Sequence, residues 1–266
     1  MSPIFKVRAS YGLMLLLVGV IMFQMGAAVM RSPLYFLDPA CNVPLLVTDL
    51  MVGFAAVRAI WAAVVQVRAH RAAARLFCMH EEPDATRRLN EVYRAWGTPI
   101  LVVRDEGFVA LAAGLLRPRI IVSTGVLQRF GPEEVEAILQ HERHHCLNRD
   151  NLKRFVSEML AQAFPYLPII RPVVAYAKTW QELFADRFAI AQMGTSLHLG
   201  NALLKFAREG RIPPREAVAH FAGTALEYRM LQIIEPETAV KVPLRLYRPV
   251  LTTCCFLLLL MLSGSS

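Results

Sequence analysis

The chain has 266 residues, enough for one soluble domain of ordinary size with membrane segments added. Its apolar fraction is 55% and its charged fraction 19%, against roughly 45–50% and about 25% in soluble domains; the excess gathers at the two ends and after residue 154, which argues against a wholly soluble chain. The net charge of +8 comes largely from arginines flanking apolar stretches, not from a compact basic run, so the lipid bilayer is the expected partner and direct nucleic-acid binding is not.

Tyr11–Met30 is a stretch of 20 residues without a charge, the length that crosses about 30 Å of hydrocarbon. Val43–Val67 is a second candidate span, interrupted by Asp49 and Arg58, whose charges must face protein or water or snorkel. The link Arg31–Asn42 carries Pro33 and Pro39 and reads as a loop. Lys6 and Arg8 precede the first span, and Arg68, Arg71 and Arg75 follow the second. The positive-inside bias then puts both flanks in the cytoplasm, as a hairpin in a multi-pass protein of the cell inner membrane.

A helix is predicted over Asp84–Trp96, stopped by Gly97. Strands follow at Pro99–Val103, Phe108–Ala112 and Arg119–Ser123, the first two separated by the turn residues Asp105-Glu106-Gly107. Gly131-Pro132-Glu133-Glu134 opens the next helix, with proline early and carboxylates in the first turn. Val135, Ile138 and Leu139 give that helix a buried stripe. Apolar Phe155–Trp180 contains Pro165, Pro168, Arg171 and Pro172, which favours an interfacial or re-entrant segment over a clean span. Pro249–Leu262 is a third apolar run, preceded by Arg245 and Arg248.

The fold class expected is mainly α with a small β-sheet. Residues 1–67 form a transmembrane helical hairpin, 68–240 a cytoplasmic catalytic domain with the interfacial or re-entrant segment near 155–180, and 241–266 a C-terminal membrane segment. The five cysteines (Cys41, Cys78, Cys146, Cys254 and Cys255) are odd in number and lack C-x-x-C spacing, so no disulfide framework is expected.

The chemistry is carried by His141-Glu142-Arg143-His144-His145, an H-E-x-x-H sequence on a predicted helix. Residues i and i+4 share a face, so His141 and His145 can bind one metal ion, zinc by donor type. Glu142, one residue round the helix, can act as general base towards a zinc-activated water. His144 points elsewhere. A catalytic zinc site needs a third protein ligand, and Glu182-Leu-Phe-Ala-Asp186 offers Glu182 for it, with Asp186 one turn on to hold the far nitrogen of a ligand histidine. His70, His80 and His198 have no partner pattern.

Gly114–Ser123, Glu134–Glu142, Arg149-Asp150 and Glu182–Asp186 together resemble the BlaR/MecR-type membrane metallopeptidases, across roughly Leu89–Ile190. The resemblance implies a gluzincin-like zinc domain between membrane helices, facing the cytoplasm. It implies a protein substrate such as a DNA-binding repressor, cleaved in a regulatory step of anti-repressor type. It also makes His141, His145 and Glu182 metal ligands and Glu142 the base. Well-known members have more spans before the core and continue into an extracellular sensor domain, whereas this sequence has two and ends at Ser266. A signal is therefore expected to arrive through the membrane helices or a partner.

An extended substrate would pair with an edge strand above the site. Phe108, Val109, Ala110, Leu111 and Ala112 are the candidates, with an ordinary core strand as the alternative. His220, Tyr228 or Arg229 could supply the donor to the developing oxyanion, and Arg229 could instead pair with Asp186; a solvated helix residue is the default for each. HtpX-like and CAAX-processing membrane proteases share both motifs and form the alternative function, in membrane quality control. A signalling scaffold that keeps the metal only for structure is a further class, and the intact Glu142 argues against it.

Overall fold

The structure is a computed structural model that describes residues 3–31, 43–208, 219–235 and 240–263. It is mainly helical with one small sheet, and it divides into two compact units. The first comprises Met1–Gln66, Val156–Ala177 and Pro243–Ser266, and the second Val67–Phe155 and Lys178–Val242.

In the first unit, helix α1 (Pro3–Arg31) buries Met14, Leu17, Val18 and Ile21. They pack with Ala55 of α2 (Val43–Met79) and with the joint between α6 (Asp150–Ala163) and α7 (Ile170–Met193). The joint supplies Phe164, Leu167, Ile169 and Ile170, and α7 adds Val173 and Val174. Pro165 and Pro168 lie within it, and Pro172 falls in the first turn of α7, where a missing N–H costs nothing. The apolar stretch near 155–180 is thus two helical arms about a proline turn. Arg58 Nε donates to the Gln162 carbonyl at 3.3 Å, giving this charge a partner at the C-terminal end of α6.

Much of the apolar surface of α1 and α2 stays uncovered: Leu16, Phe23, Val57, Ile60 and Trp61 are all exposed. Patches of that kind belong against lipid or another chain. Among the described residues, two helices are long and apolar enough to cross a membrane, Pro3–Phe23 with 21 residues and Leu50–Met79 with 30. Helix continues through Lys6 and Arg8 ahead of the first sequence-based span and through Arg68, Arg71 and Arg75 beyond the second. The third apolar run forms α10 (Tyr247–Ser263), 17 residues long.

The second unit is built on a sheet of order β1-β3-β2: β1 (Ile100–Val103) is parallel to β3 (Arg119–Ser123), and β2 (Ala110–Ala113) is antiparallel to it. Side chains alternate between faces, as the strand period requires. Ile100, Val102, Ile120 and Val122 join Val135, Ile138 and Leu139 of α5 (Pro132–Leu147) in one core, while Leu101, Val103 and Ile121 pack with Phe77 and Leu111 on the other side. The outer edge of β1 is held by the segment after α2, through Glu82 N–H to the Val102 carbonyl at 2.8 Å and Arg104 N–H to the His80 carbonyl at 2.7 Å. The outer edge of β2 faces the cleft described below.

Two sequence boundaries shift. The helix expected over Asp84–Trp96 ends at Val92 (α3, Pro83–Val92) and gives way to a 3-10 turn, Arg94–Trp96, closed by Gly97 at φ 63°. The strand expected over Phe108–Ala112 begins at Ala110, because Ser123 Oγ takes the Val109 N–H at 3.1 Å where a ladder carbonyl would have stood. Phe108 packs instead against Phe130 and Phe206, with ring centroids 5.5 and 4.7 Å away. Gly114 closes β2 at φ 91°, with the Arg117 carbonyl so near that a Cβ would sit 2.5 Å from it.

Candidate metal centre

Helix α5 starts cleanly. Pro132 lies in its first turn, and the Glu134 carboxylate accepts the Gly131 N–H at 3.0 Å while pairing with Lys205 at 2.5 Å. Its Val135, Ile138 and Leu139 stripe presses on the sheet and turns the following residues into the cleft. His141 and His145 are both 6% exposed, and their Nε2 atoms lie 3.2 Å apart. From α7, Glu182 brings one carboxylate oxygen to 3.4 Å from His141 Nε2 and the other to 3.7 Å from His145 Nε2. One ligand atom from each of the three residues lies within 4.8 Å of the others.

The outer ring nitrogens are also held. His145 Nδ1 is 2.8 Å from Asp150 Oδ2, and His141 Nδ1 is 2.9 Å from Asp186 Oδ1, the latter an ion-pair approach off the line of the N–H. A carboxylate behind each imidazole fixes the tautomer that leaves Nε2 free as a ligand. Two such Nε2 lone pairs, buried and facing each other, repel unless a cation or proton lies between them. The donor set therefore fits a divalent metal.

Electrostatics point the same way. Burial pulls the His141 imidazole down, but pairing with Asp186 and Glu182 more than offsets it and raises the group to about 9. Surroundings that favour an imidazolium favour a metal cation. Glu182 is half-buried, and its desolvation alone would raise it; the His141 hydrogen bond and the nearby Arg229 guanidinium hold it well below the usual carboxylate range. Asp186, at 0% exposure, is likewise held low by Arg229 and His141 against the cost of burial. His144 faces away: burial and the neighbouring His145 lower it to about 4, and its ring lies 5.4 Å from that of Phe188.

Asp150 reaches back to His145 because the chain reverses at Arg149, a non-glycine residue at φ 51°. Such a conformation costs of order 1–3 kcal/mol and persists where the surroundings impose it. Here it lets α6 begin immediately after α5. That start also brings Asn151 and Arg154 into the cleft, where Arg154 Nη2 donates to Glu182 Oε1 at 2.5 Å and Nε to Gln181 Oε1 at 2.9 Å.

The cleft itself is a cavity of about 280 Å³. Phe108, Ile138, Leu199, Leu203 and Phe206 form an apolar wall, facing His141, His145, Glu182 and Arg229. Ala110 and Ala112 of the edge strand line it too, and the Ala112 N–H donates to Glu142 Oε2 at 2.7 Å. Val109 does not line the cavity; it belongs to the opposite face of the sheet. Of the oxyanion candidates, Arg229 on α9 (Ala219–Ile234) reaches the cleft and pairs with Asp186. Tyr228 is not among the lining residues, and the His220 side chain lies outside the described residues. Sequence reasoning assigned no role to Asp150, Asn151 or Arg154; the only signal was Arg149-Asp150 within the family motif.

A family model described as BlaR1 peptidase M56 matches residues 41–233, well over half of the chain. The chain belongs to that family. M56 peptidases are metallopeptidases, in keeping with the His and Glu groups that converge here. The regulatory protein BlaR1 of Bacillus licheniformis is 26% identical over 131 residues, which cover 47% of this chain and 22% of that relative. The chain thus spans about a fifth of the length of the curated relative it matches.

Proposed function

We propose that this chain is a membrane-anchored zinc endopeptidase with a gluzincin-like catalytic domain on the cytoplasmic side of the inner membrane. Its substrate is a protein, such as a DNA-binding repressor, cleaved in a regulatory step. The observation that carries the reading is the convergence of His141, His145 and Glu182 beside the Glu142 carboxylate, at the edge of a strand. The family match supports the peptidase class, and the BlaR1 relative supports regulatory proteolysis.

His141, His145 and Glu182 would hold the ion, with Asp186 and Asp150 orienting the two imidazoles. Zinc held there would supply Lewis acidity, making water a stronger acid and a scissile carbonyl more electrophilic. Glu142 then takes the proton from the attacking water on its carboxylate and passes it to the departing amine. Arg229 and Arg154 flank Glu182 and keep it ionised for coordination. The apolar wall accepts a side chain of the substrate, and the β2 edge accepts its backbone.

The test is the zinc content of detergent-purified protein, followed by hydrolysis of a co-expressed repressor. About one zinc per chain is expected for wild type and Glu142→Ala, none for His141→Ala, and cleavage by wild type alone. A Glu142→Ala variant that cleaved at the wild-type rate would remove the assigned base. Cleavage of misfolded membrane proteins in place of the repressor would move the function to quality control.

A further inference from the structure

Along β2, successive residues turn their main-chain groups alternately towards β3 and away from it. Val109 faces β3: its carbonyl accepts the Ser123 N–H at 2.8 Å and its N–H donates to Ser123 Oγ. Ala110 and Ala112 therefore offer their N–H and C=O to the outer edge. At Ala112 both groups are already taken by side chains. Its N–H donates to Glu142 Oε2 at 2.7 Å, and its carbonyl accepts from Asn151 Nδ2, also at 2.7 Å. Among the described residues no side chain closes Ala110 in this way.

We propose that Glu142 and Asn151 form a latch on Ala112, which an extended peptide must open to lie beside the metal ligands, so that docking itself releases the base. Asn151 is then a positioning residue: it acts on the edge strand, not on the reacting atoms. The proposal rests on the peptidase reading and adds an order of events to it. A peptide strand pairs first at Ala110. It then takes over Ala112, exchanging each side-chain hydrogen bond for a main-chain one of like kind. Because the exchange is close to balanced, the latch opens reversibly. It also keeps the strand from pairing with unrelated chains, the usual hazard of an open edge. Both latch groups sit on helices that line the cleft, Glu142 in the C-terminal half of α5 and Asn151 in the first turn of α6, so they remain in the cleft when displaced.

The test compares two variants that both lack the catalytic carboxylate. Glu142→Gln keeps an acceptor for the Ala112 N–H, and Glu142→Ala removes it. Binding of a fluorescein-labelled, mixed-sequence decapeptide pool to the zinc-loaded full chain is followed by fluorescence anisotropy. One net hydrogen bond corresponds to a factor of about two to ten, and Glu142→Ala is expected to bind tighter than Glu142→Gln by that factor. Adding Asn151→Ala to Glu142→Gln tightens binding similarly, whereas a labelled dipeptide pool, too short to reach both edge positions, shows no such gain. A merely structural Asn151 would weaken binding for both pools. Equal or weaker decapeptide binding by Glu142→Ala, or no binding to any variant, overturns the latch. Zinc-dependent hydrolysis by wild type is scored separately: its loss sinks the peptidase reading, while the comparison of Gln with Ala still decides the latch.

Discussion

Arg229 grips Asp186 through two parallel hydrogen bonds, Nε to Oδ2 and Nη2 to Oδ1, each 2.8 Å long. The same carboxylate, fully buried, stands 2.9 Å behind the Nδ1 of His141. One anion thus ties α9 to His141 on α5. Removing Arg229 leaves that charge buried without its main partner, a loss of about 3–5 kcal/mol. Arg229→Ala is therefore expected to lower the denaturant midpoint of the purified protein sharply. Arg229→Lys restores charge without the planar fork and should recover only part of it. An unchanged midpoint in Arg229→Ala would show that the pair carries no stability.

Asp150 and Asp186 play equivalent parts behind His145 and His141, although only Asp186 was expected to do so. Losing such a partner weakens metal binding by roughly 10–100-fold. Asp150→Ala and Asp186→Ala should each show that loss in competition with a chromogenic zinc chelator. Wild-type affinity in either variant would take that residue out of the site.

What was legible in the sequence is what local pattern encodes. The i, i+4 spacing of His141 and His145, the stripe beneath them and the Glu182–Asp186 turn all follow from helical periodicity, and the structure brings these residues together. The strand Arg119–Ser123 appears with the bounds its β-branched run suggested. The roles of Asp150, Asn151 and Arg154 were hidden because they depend on a left-handed Arg149, which no periodicity announces. The start of β2 was misplaced for a similar reason: a side chain, Ser123 Oγ, competes with the ladder for the Val109 N–H. The break after Val92 went unseen because Arg94, Ala95 and Trp96 are all compatible with helix, and only the tighter turn before Gly97 separates them.

Metal binding should release a proton over a defined pH range. Asp186 and Glu182 raise His141 to about 9 from an ordinary value of 6.5. In metal-free protein the imidazole is therefore protonated at neutral pH, and zinc must displace that proton. Apparent zinc affinity should rise about tenfold per pH unit below this value and flatten above it. The stability linkage of metal-free protein has the opposite slope. Its contribution from His141 is fully present below pH 6.5 and lost as pH rises through about 9. Calorimetric titration with zinc at neutral pH, in two buffers of different ionisation enthalpy, measures the released proton. Heats independent of buffer would mean that His141 is already neutral.

Topology follows from charge at the ends of apolar helices. Lys6 and Arg8 stand near the start of α1, and Arg68, Arg71 and Arg75 occupy the C-terminal part of α2, beyond its exposed Val57, Ile60 and Trp61. Lys and Arg near span ends are retained on the cytoplasmic side, so the two flanks should share that compartment and the link between the helices should lie opposite. A fluorescent protein fused after Gly97 is expected to be bright and alkaline phosphatase at the same position inactive. Fusions after Pro39 should give the reverse. An active phosphatase after Gly97 would put the metal centre outside the cell membrane, where it could not reach a DNA-binding repressor, and the substrate would have to be sought among exported proteins.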